Sequence, residues 1–178
     1  MENSFVPVLI ERLSDQDGRV RERARHTLVL IGPPAIPALL GLAQSKDKRE
    51  RWEAAKTLAE IADPSSSATQ VGLLADGESD IRWVAASGVI RLGFRTVPDV
   101  LQLLIANADS NAVRGSVHRV LGELAKGNTP AQEIVAPLLP VLGETGPTDA
   151  VLAAADQALK RVQALQNSLT IDPSSDLP

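Results

Sequence analysis

The segment VRERARHTLVLIG at residues 20–32 decides the fold, because related segments return along the whole chain. Successive copies begin 30, 31 and 32 residues apart, and a weaker fifth copy follows after a further 38. A period of this length indicates stacked helical units, each too small to bury its apolar side alone. The later copies are ERWEAAKTLAEIA (50–62), IRWVAASGVIRLG (81–93), VRGSVHRVLGELA (113–125) and VLAAADQALKRVQ (151–163).

Each copy has the apolar spacing of an amphipathic α-helix, with apolar residues mostly three or four positions apart. A second apolar stretch precedes every copy, as FVPVLIERL at residues 5–13 precedes the first. Glycine and proline stand where one unit ends and the next begins, for example in the Gly-Pro-Pro run at residues 32–34. We therefore predict an all-α fold of about five antiparallel helix pairs.

The same punctuation gives the predicted domain organisation. We predict one domain over residues 1–166 and a flexible tail over 167–178, which is rich in polar residues and proline. Pro137 and Pro140 fall inside the first helix of the fifth unit, so we expect that helix to be kinked or split. The predicted repeats cover about 4–32, 33–62, 64–93, 96–126 and 129–166.

Composition limits the class of protein. A chain of 178 residues, 44% hydrophobic and 22% charged, suits a soluble domain with a buried core. The net charge of −4 makes nucleic acid an unlikely ligand, and the absence of cysteine excludes disulfides and thiolate metal sites. No apolar run approaches the roughly 20 residues of a membrane helix. We expect a cytoplasmic monomer without membrane contact.

The repeats resemble HEAT repeats, particularly the bacterial HEAT-like type named after phycobiliprotein lyase subunits, over roughly residues 5–163. The resemblance rests on P-x-L-L in the first helices and V/I-R-x-x-A-x-x-x-L-x-x-I/L-G in the second. It implies a right-handed α-solenoid with the second helices on its concave surface, and arginines paired with acidic turn residues in a ladder. The arginines could instead form an anion-binding row. The ladder candidates are Arg21, Arg51, Arg82, Arg114, Asp15 and Asp76.

The face opposite the apolar stripe carries the candidate binding residues. At about 100° per residue, Trp52 and Trp83 occupy equivalent positions on this face, with Ala55, Ala59 and Ala86 beside them. We interpret the two indoles as an apolar recognition patch. They could instead seal the seams between repeats. The predicted protein-binding groove comprises Trp52, Trp83, Ile90, Arg25, His26, Val29, Lys56, His118 and Arg119.

The predicted function is a non-catalytic scaffold that binds a protein or peptide segment, with no cofactor and no metal. His26 and His118 lie in different repeats and form no metal-binding pair, and no glycine-rich phosphate motif is present. An accessory or chromophore-lyase-like subunit of an enzyme is the alternative that the resemblance implies. A purely architectural module and a HEAT-like nucleic-acid-binding protein are further alternatives.

Overall fold

The computed structural model describes residues 5–126, 130–143 and 146–170. Within these ranges the chain forms α-helices and short 3-10 turns without a β-strand, which confirms the predicted all-α class. The helices are α1 (Val6–Arg12), α2 (Gly18–Ile31), α3 (Ile36–Leu42), α4 (Lys48–Ile61), α5 (Ser67–Gly72), α6 (Ser79–Leu92), α7 (Val97–Ala106), α8 (Asn111–Leu124), α9 (Pro130–Val135) and α10 (Thr148–Thr170).

The chain divides into two compact units, residues 1–96 with α1 to α6 and residues 97–178 with α7 to α10. In the first unit, α1 packs on α2, α3 on α4 and α5 on α6, and the second helices of these pairs also pack on one another. In the second unit, α7 packs on α8. These pairs fall within the predicted repeats, whereas the single domain over residues 1–166 stays a prediction.

The long second helices start and stop at residues suited to those places. Asp17 and Asp47 accept hydrogen bonds from backbone N–H groups two residues later, at 2.9 and 2.7 Å, and so cap α2 and α4. At the other end, Gly32 and Gly93 take positive φ angles of 72° and 79°. The four helices α2, α4, α6 and α8 each have 14 residues.

Small side chains bring α4 and α6 together. Ala55, Ala59 and Ala86 are buried. A Cβ atom added to Gly88 would lie 2.9 Å from the Cβ of Ala59 and would overlap Oε1 of the buried Gln70. The expectation that Ala55 and Ala86 share the exposed face with the tryptophans is therefore wrong, and Ala59 is only 5% exposed. A second helix inside a stack packs against neighbours on both sides, which leaves a narrower open stripe than the helical wheel suggested.

The fifth repeat departs from the others. As predicted, proline splits its first helix: α9 ends at Val135, and a 3-10 turn follows over Leu139–Leu142. Helix α10 packs mainly against α7, the first helix of the preceding pair. It continues to Thr170 and so includes the first four residues of the predicted tail. Residues 171–178 of that tail lie outside the described ranges, and their flexibility stays a prediction.

Candidate protein-binding face

In the first unit, the ladder arginines hold the turn that precedes their own helix. Nη1 of Arg21 and Arg82 donates to the backbone carbonyl six residues earlier, at 2.8 Å in both cases. Arg51 makes the same bond at 3.0 Å, and all three add a bond to the next carbonyl at 3.1 Å. Each guanidinium therefore fixes the turn between the two helices of its pair.

Arg51 also crosses to the next repeat. Its Nε and Nη2 donate to the two carboxylate oxygens of Asp76 at 2.8 and 3.1 Å. Burial raises the pKa of Asp76, but the hydrogen bonds from Arg51 and from the N–H of Glu78, with the charges of Arg51 and Arg82, outweigh it, so this pKa lies below its ordinary value. The bond to Asp76 likewise raises the pKa of Arg51. Asp76 thus links adjacent repeats.

Asp15 does not have the corresponding role. Its carboxylate accepts the N–H of Asp17 at 2.8 Å, and only its backbone carbonyl contacts Arg21. The carboxylate partner of Arg21 is Glu53 of the next repeat, at 2.9 Å, which the sequence analysis missed. Glu53 also accepts from Nη1 of Arg25 at 2.8 Å, and its side chain is 4% exposed. A buried carboxylate with two guanidinium partners therefore joins α2 to α4.

Arg25 is not an exposed groove residue, contrary to the prediction. Its side chain is buried between α2 and α4, where it contacts Glu53, and its Nε lies 3.6 Å from Glu60. It occupies the position in the repeat at which Ala55 and Ala86 are buried. Because that position faces a neighbouring helix, a long cationic side chain is accommodated there only with carboxylates opposite it.

In the second unit, Arg114 is buried and bonds mostly to backbone. Its Nε and Nη1 donate to the carbonyls of Ala108 and Gly146 at 2.5 and 2.6 Å. Its Nη2 donates to the Thr148 hydroxyl at 3.0 Å, and that hydroxyl donates to Asp109 at 2.9 Å. Asp109 is therefore reached through a threonine, and Arg114 joins the start of α8 to the start of α10.

The two tryptophans lie on adjacent helices and share one open depression. Trp83 is 62% exposed, and Trp52 is half-buried. Successive turns of α4 and α6 supply the walls, and small side chains lie between them. We call this surface the tryptophan face; it is lined by Trp52, Lys56, Ala59 and Glu60 of α4 and by Trp83, Val84, Ser87 and Arg91 of α6.

Two cations are held at the tryptophan face by neutral groups. Nζ of Lys56 lies 4.8 Å from the centre of the Trp52 ring, within the range of a cation–π interaction. Nη1 of Arg91 donates at 3.1 Å to the carbonyl of Ala59, near the C-terminal end of α4 where such carbonyls lack helical partners. Neither cation takes part in an ion pair with a described residue.

Three further predicted groove residues of the first unit lie outside the lining of the tryptophan face. His26 is exposed and Val29 half-buried on α2, and Ile90 is half-buried on α6. The structure therefore brings together Trp52, Lys56 and Trp83 but does not add these three to them. Their role in binding stays a prediction.

The remaining two predicted residues lie on α8 in the second unit. His118 is exposed and borders a shallow depression that it shares with Arg114 and Leu142. Arg119 is partly buried, and burial lowers its pKa although the charge of Glu123 opposes that change. Both residues lie on α8, and their role in protein binding stays a prediction.

Glu60 and Arg91 of the tryptophan face were not predicted. They occupy the same position of their copies, eight residues after Trp52 and Trp83 respectively. At about 100° per residue this position is rotated about 80° from the tryptophans, outside the sector assigned to the groove. A wider sector would have included them, together with Leu30 at the equivalent position of α2, which is 87% exposed.

No group of three or more His, Asp or Glu side chains among the described residues is arranged to hold a metal ion. By length and composition, no single described helix could cross a membrane. The pair Gly18–Ile31 and Pro33–Leu42, bent by 120°, is long and apolar enough only when both helices are counted together.

Comparison with known proteins agrees with this architecture. The helix pairs define a helical-repeat protein, and residues 6–90 match the model of the HEAT-repeat family. The chain is 32% identical over 98 residues to the phycocyanobilin lyase subunit beta of Pseudanabaena tenuis (strain PCC 7409). That match includes 54% of this chain and 35% of the relative, so the chain spans about a third of the relative's length.

Solved structures of engineered proteins are also similar. One is 23% identical with a TM-score of 0.48, and the match covers 90% of this chain and 82% of the other. A designed armadillo repeat protein is 16% identical with a TM-score of 0.43, with 96% and 94% covered.

Proposed function

We propose that this chain is a non-catalytic protein-interaction scaffold that binds a segment of another protein on the tryptophan face. The observation that carries the proposal is the 62% exposure of Trp83, beside the half-buried Trp52, in an open depression between two helices. Tryptophan is enriched among the residues that dominate binding energy in protein interfaces, and a large apolar side chain left in water favours a partner.

The surrounding contacts suit a surface that is formed before its partner arrives. Ala59 and Gly88 bring α4 and α6 into close contact, and Arg91 bonds from one helix to the other. The bond between Arg51 and Asp76 fixes the same repeat boundary near the helix starts. Because the backbone positions of both tryptophans are held by these contacts, less conformational freedom is lost on binding than on a mobile surface.

The alternative of two seam-sealing indoles fits Trp83 poorly. A side chain that seals a seam loses most of its exposed surface, whereas more than half of Trp83 stays in contact with water. Trp52 is closer to that alternative, because it is half-buried and packs against Lys56. We therefore assign Trp83 as the anchor for the partner and Trp52 as the wall beside it.

A display library of random linear peptides provides a direct test. Peptides would be enriched on the wild-type protein alone, so that the selection itself does not favour any face. Their binding would then be measured on the wild type and on the Trp52→Ala/Trp83→Ala double variant. We expect most enriched peptides to lose binding to the double variant.

The matched control is Leu30→Ala, which removes another exposed apolar side chain of the first unit. Enriched peptides should bind this variant as they bind the wild type, and unfolding of all variants would be followed by circular dichroism. Peptides that bind the folded double variant normally, or a library that yields no peptide above background, would contradict the proposal.

A second candidate function comes from the relative named as a phycocyanobilin lyase subunit. Its 32% identity over 98 residues favours an accessory role in handling such a chromophore, although about two thirds of that relative has no counterpart here. Titration of the purified chain with phycocyanobilin tests this candidate. A saturable change in the visible absorption spectrum of the chromophore would support it, and an unchanged spectrum would exclude binding by this chain alone.

A further inference from the structure

We infer that the segment bound on the tryptophan face is acidic, with carboxylates on either side of the apolar side chain that contacts Trp83. This inference rests on the proposed function and adds the chemical class of the partner. It starts from the charges around the two indoles, where cationic side chains outnumber carboxylates.

The carboxylates nearest the tryptophans already have cationic partners. Glu60 lines the tryptophan face, but it lies 3.6 Å from Nε of the buried Arg25. Glu53, beside Trp52, accepts from both Arg21 and Arg25 at 2.9 and 2.8 Å. These two carboxylates and two guanidinium groups balance one another in charge, and Lys56 and Arg91 are cations in addition to these four groups.

These two additional cations are held without a carboxylate. Lys56 stacks on the ring of Trp52, and Arg91 donates to the carbonyl of Ala59. Neither contact brings a carboxylate to the cation. The side chains are already positioned by these contacts, so an incoming carboxylate finds them beside the indoles.

The other edge of Trp52 has the same sign of charge. A second depression there includes Lys48 and Arg49 with Asp80 opposite them. Asp80 accepts the N–H of Ile81 in its own helix, and Arg49 bonds to the neutral amide of Gln16 at 3.3 Å. Lys48 is 3.9 Å from Glu78, but the two side chains are 70% and 44% exposed, so this pair is weak.

The local excess is notable because the whole chain has a net charge of −4. A positive region on an acidic protein attracts acidic segments and repels basic ones, and nearby apolar surface strengthens each charge contact made on binding. A partner that offered only apolar side chains would leave Lys56 and Arg91 partly dehydrated without a counter-charge. A basic partner would add repulsion to that cost.

The sequences of the peptides enriched on the wild type test the inference. Among the peptides that need Trp52 and Trp83, we expect an excess of Asp and Glu over the unselected library. One such peptide would then be measured by fluorescence anisotropy against Lys56→Glu and Lys56→Gln. We expect affinity to fall by about tenfold or more for the Glu variant and by less for the Gln variant, with weaker wild-type binding at higher salt.

Lys46→Glu is the matched control, because Lys46 is an exposed lysine of the same unit that lies outside both depressions. It makes the same change in net charge, and we expect its affinity to stay within about twofold of the wild type. Trp-dependent peptides without an excess of Asp and Glu, or equal losses of affinity in Lys46→Glu and Lys56→Glu, would overturn this inference but not the proposed function. Peptides that do not depend on the tryptophans would instead overturn the proposed function.

Discussion

Arg51 and Asp76 join two consecutive repeats through two hydrogen bonds of 2.8 and 3.1 Å between their guanidinium and carboxylate groups. The Asp76 side chain is 7% exposed, and its Oδ1 also accepts the N–H of Glu78 at 2.9 Å. One carboxylate therefore fixes the turn of its own repeat and holds the arginine of the preceding repeat. The tryptophan face is built on the two helices that this pair connects.

Replacing Asp76 by Asn should destabilise the first unit. The amide keeps the shape of the side chain but leaves the charge of Arg51 without its partner, so we expect a loss of about 2 kcal/mol in the free energy of unfolding. The free energy of unfolding is measured by urea denaturation, with circular dichroism as the signal. Asp15→Asn is the control, since the Asp15 carboxylate bonds only within its own turn, and its cost should be about 1 kcal/mol or less. Equal costs for the two variants would contradict the assigned role of Asp76.

The contribution of Asp76 should depend on pH in one direction. Its pKa is lowered in the folded state, so the ionised carboxylate stabilises the fold above the unfolded-state pKa of about 3.9. The stabilisation is lost as pH falls through the lower folded-state pKa. The difference in unfolding free energy between wild type and Asp76→Asn should therefore be constant near neutral pH and shrink below about pH 4. A difference that grows on acidification would contradict this assignment.

Gly88 should not tolerate a side chain. The Cβ of Gly88→Ala would overlap Oε1 of Gln70 and approach the Cβ of Ala59, so we expect a loss of about 3 kcal/mol despite the better helix propensity of alanine. Gly115→Ala on α8 is the control, because its Cβ would meet no other atom within 4 Å. That variant should be neutral or more stable by up to about 1 kcal/mol.

Removing Gln70 should relieve part of the cost at Gly88. In the Gly88→Ala/Gln70→Ala double variant, the overlapping amide is gone, so the loss should be smaller than the sum of the two single losses. Thermal or urea denaturation of the four proteins completes the cycle. Strict additivity would show that the close approach of α5 and α6 does not set the requirement for glycine.

The two tryptophans should differ in accessibility. The chain has only these two, so Trp52→Phe and Trp83→Phe each leave one indole to observe. We expect acrylamide to quench the fluorescence of Trp83 strongly and that of Trp52 less, since Trp52 is half-buried and covered by Lys56. If acrylamide quenched Trp83 less than Trp52, the assignment of Trp83 as the more exposed indole would be contradicted.

The repeat period was sufficient to predict the helix pairs, because each copy shows the same spacing of apolar residues and the same turn residues. Pro137 and Pro140 likewise predicted the split first helix of the fifth repeat, since proline cannot continue a helical hydrogen-bond ladder. Both predictions use local rules. The packing of α10 on α7 was not predicted, because no local rule states which neighbour a helix selects.

The candidate site was only partly predictable for the same reason. Trp52 and Trp83 share a helix position, and the sequence shows that directly. The burial of Arg25 depends on Glu53 and Glu60, which lie on another helix. The ladder prediction looked for acidic residues in the turns, so it found Asp76 and missed Glu53. Contacts between repeats therefore require coordinates, even where the repeats themselves are evident.

The affinity of a selected peptide for Trp83→Ala tests the central claim most directly, with Leu30→Ala measured beside it. Trp83 is mostly exposed, so its loss should change the unfolding free energy little and reduce affinity by about 30-fold or more, as expected for a residue that dominates an interface. Leu30→Ala should leave the affinity within about twofold. A Trp83→Ala protein that binds the peptide normally, or one that fails to bind because it no longer folds, would contradict the account.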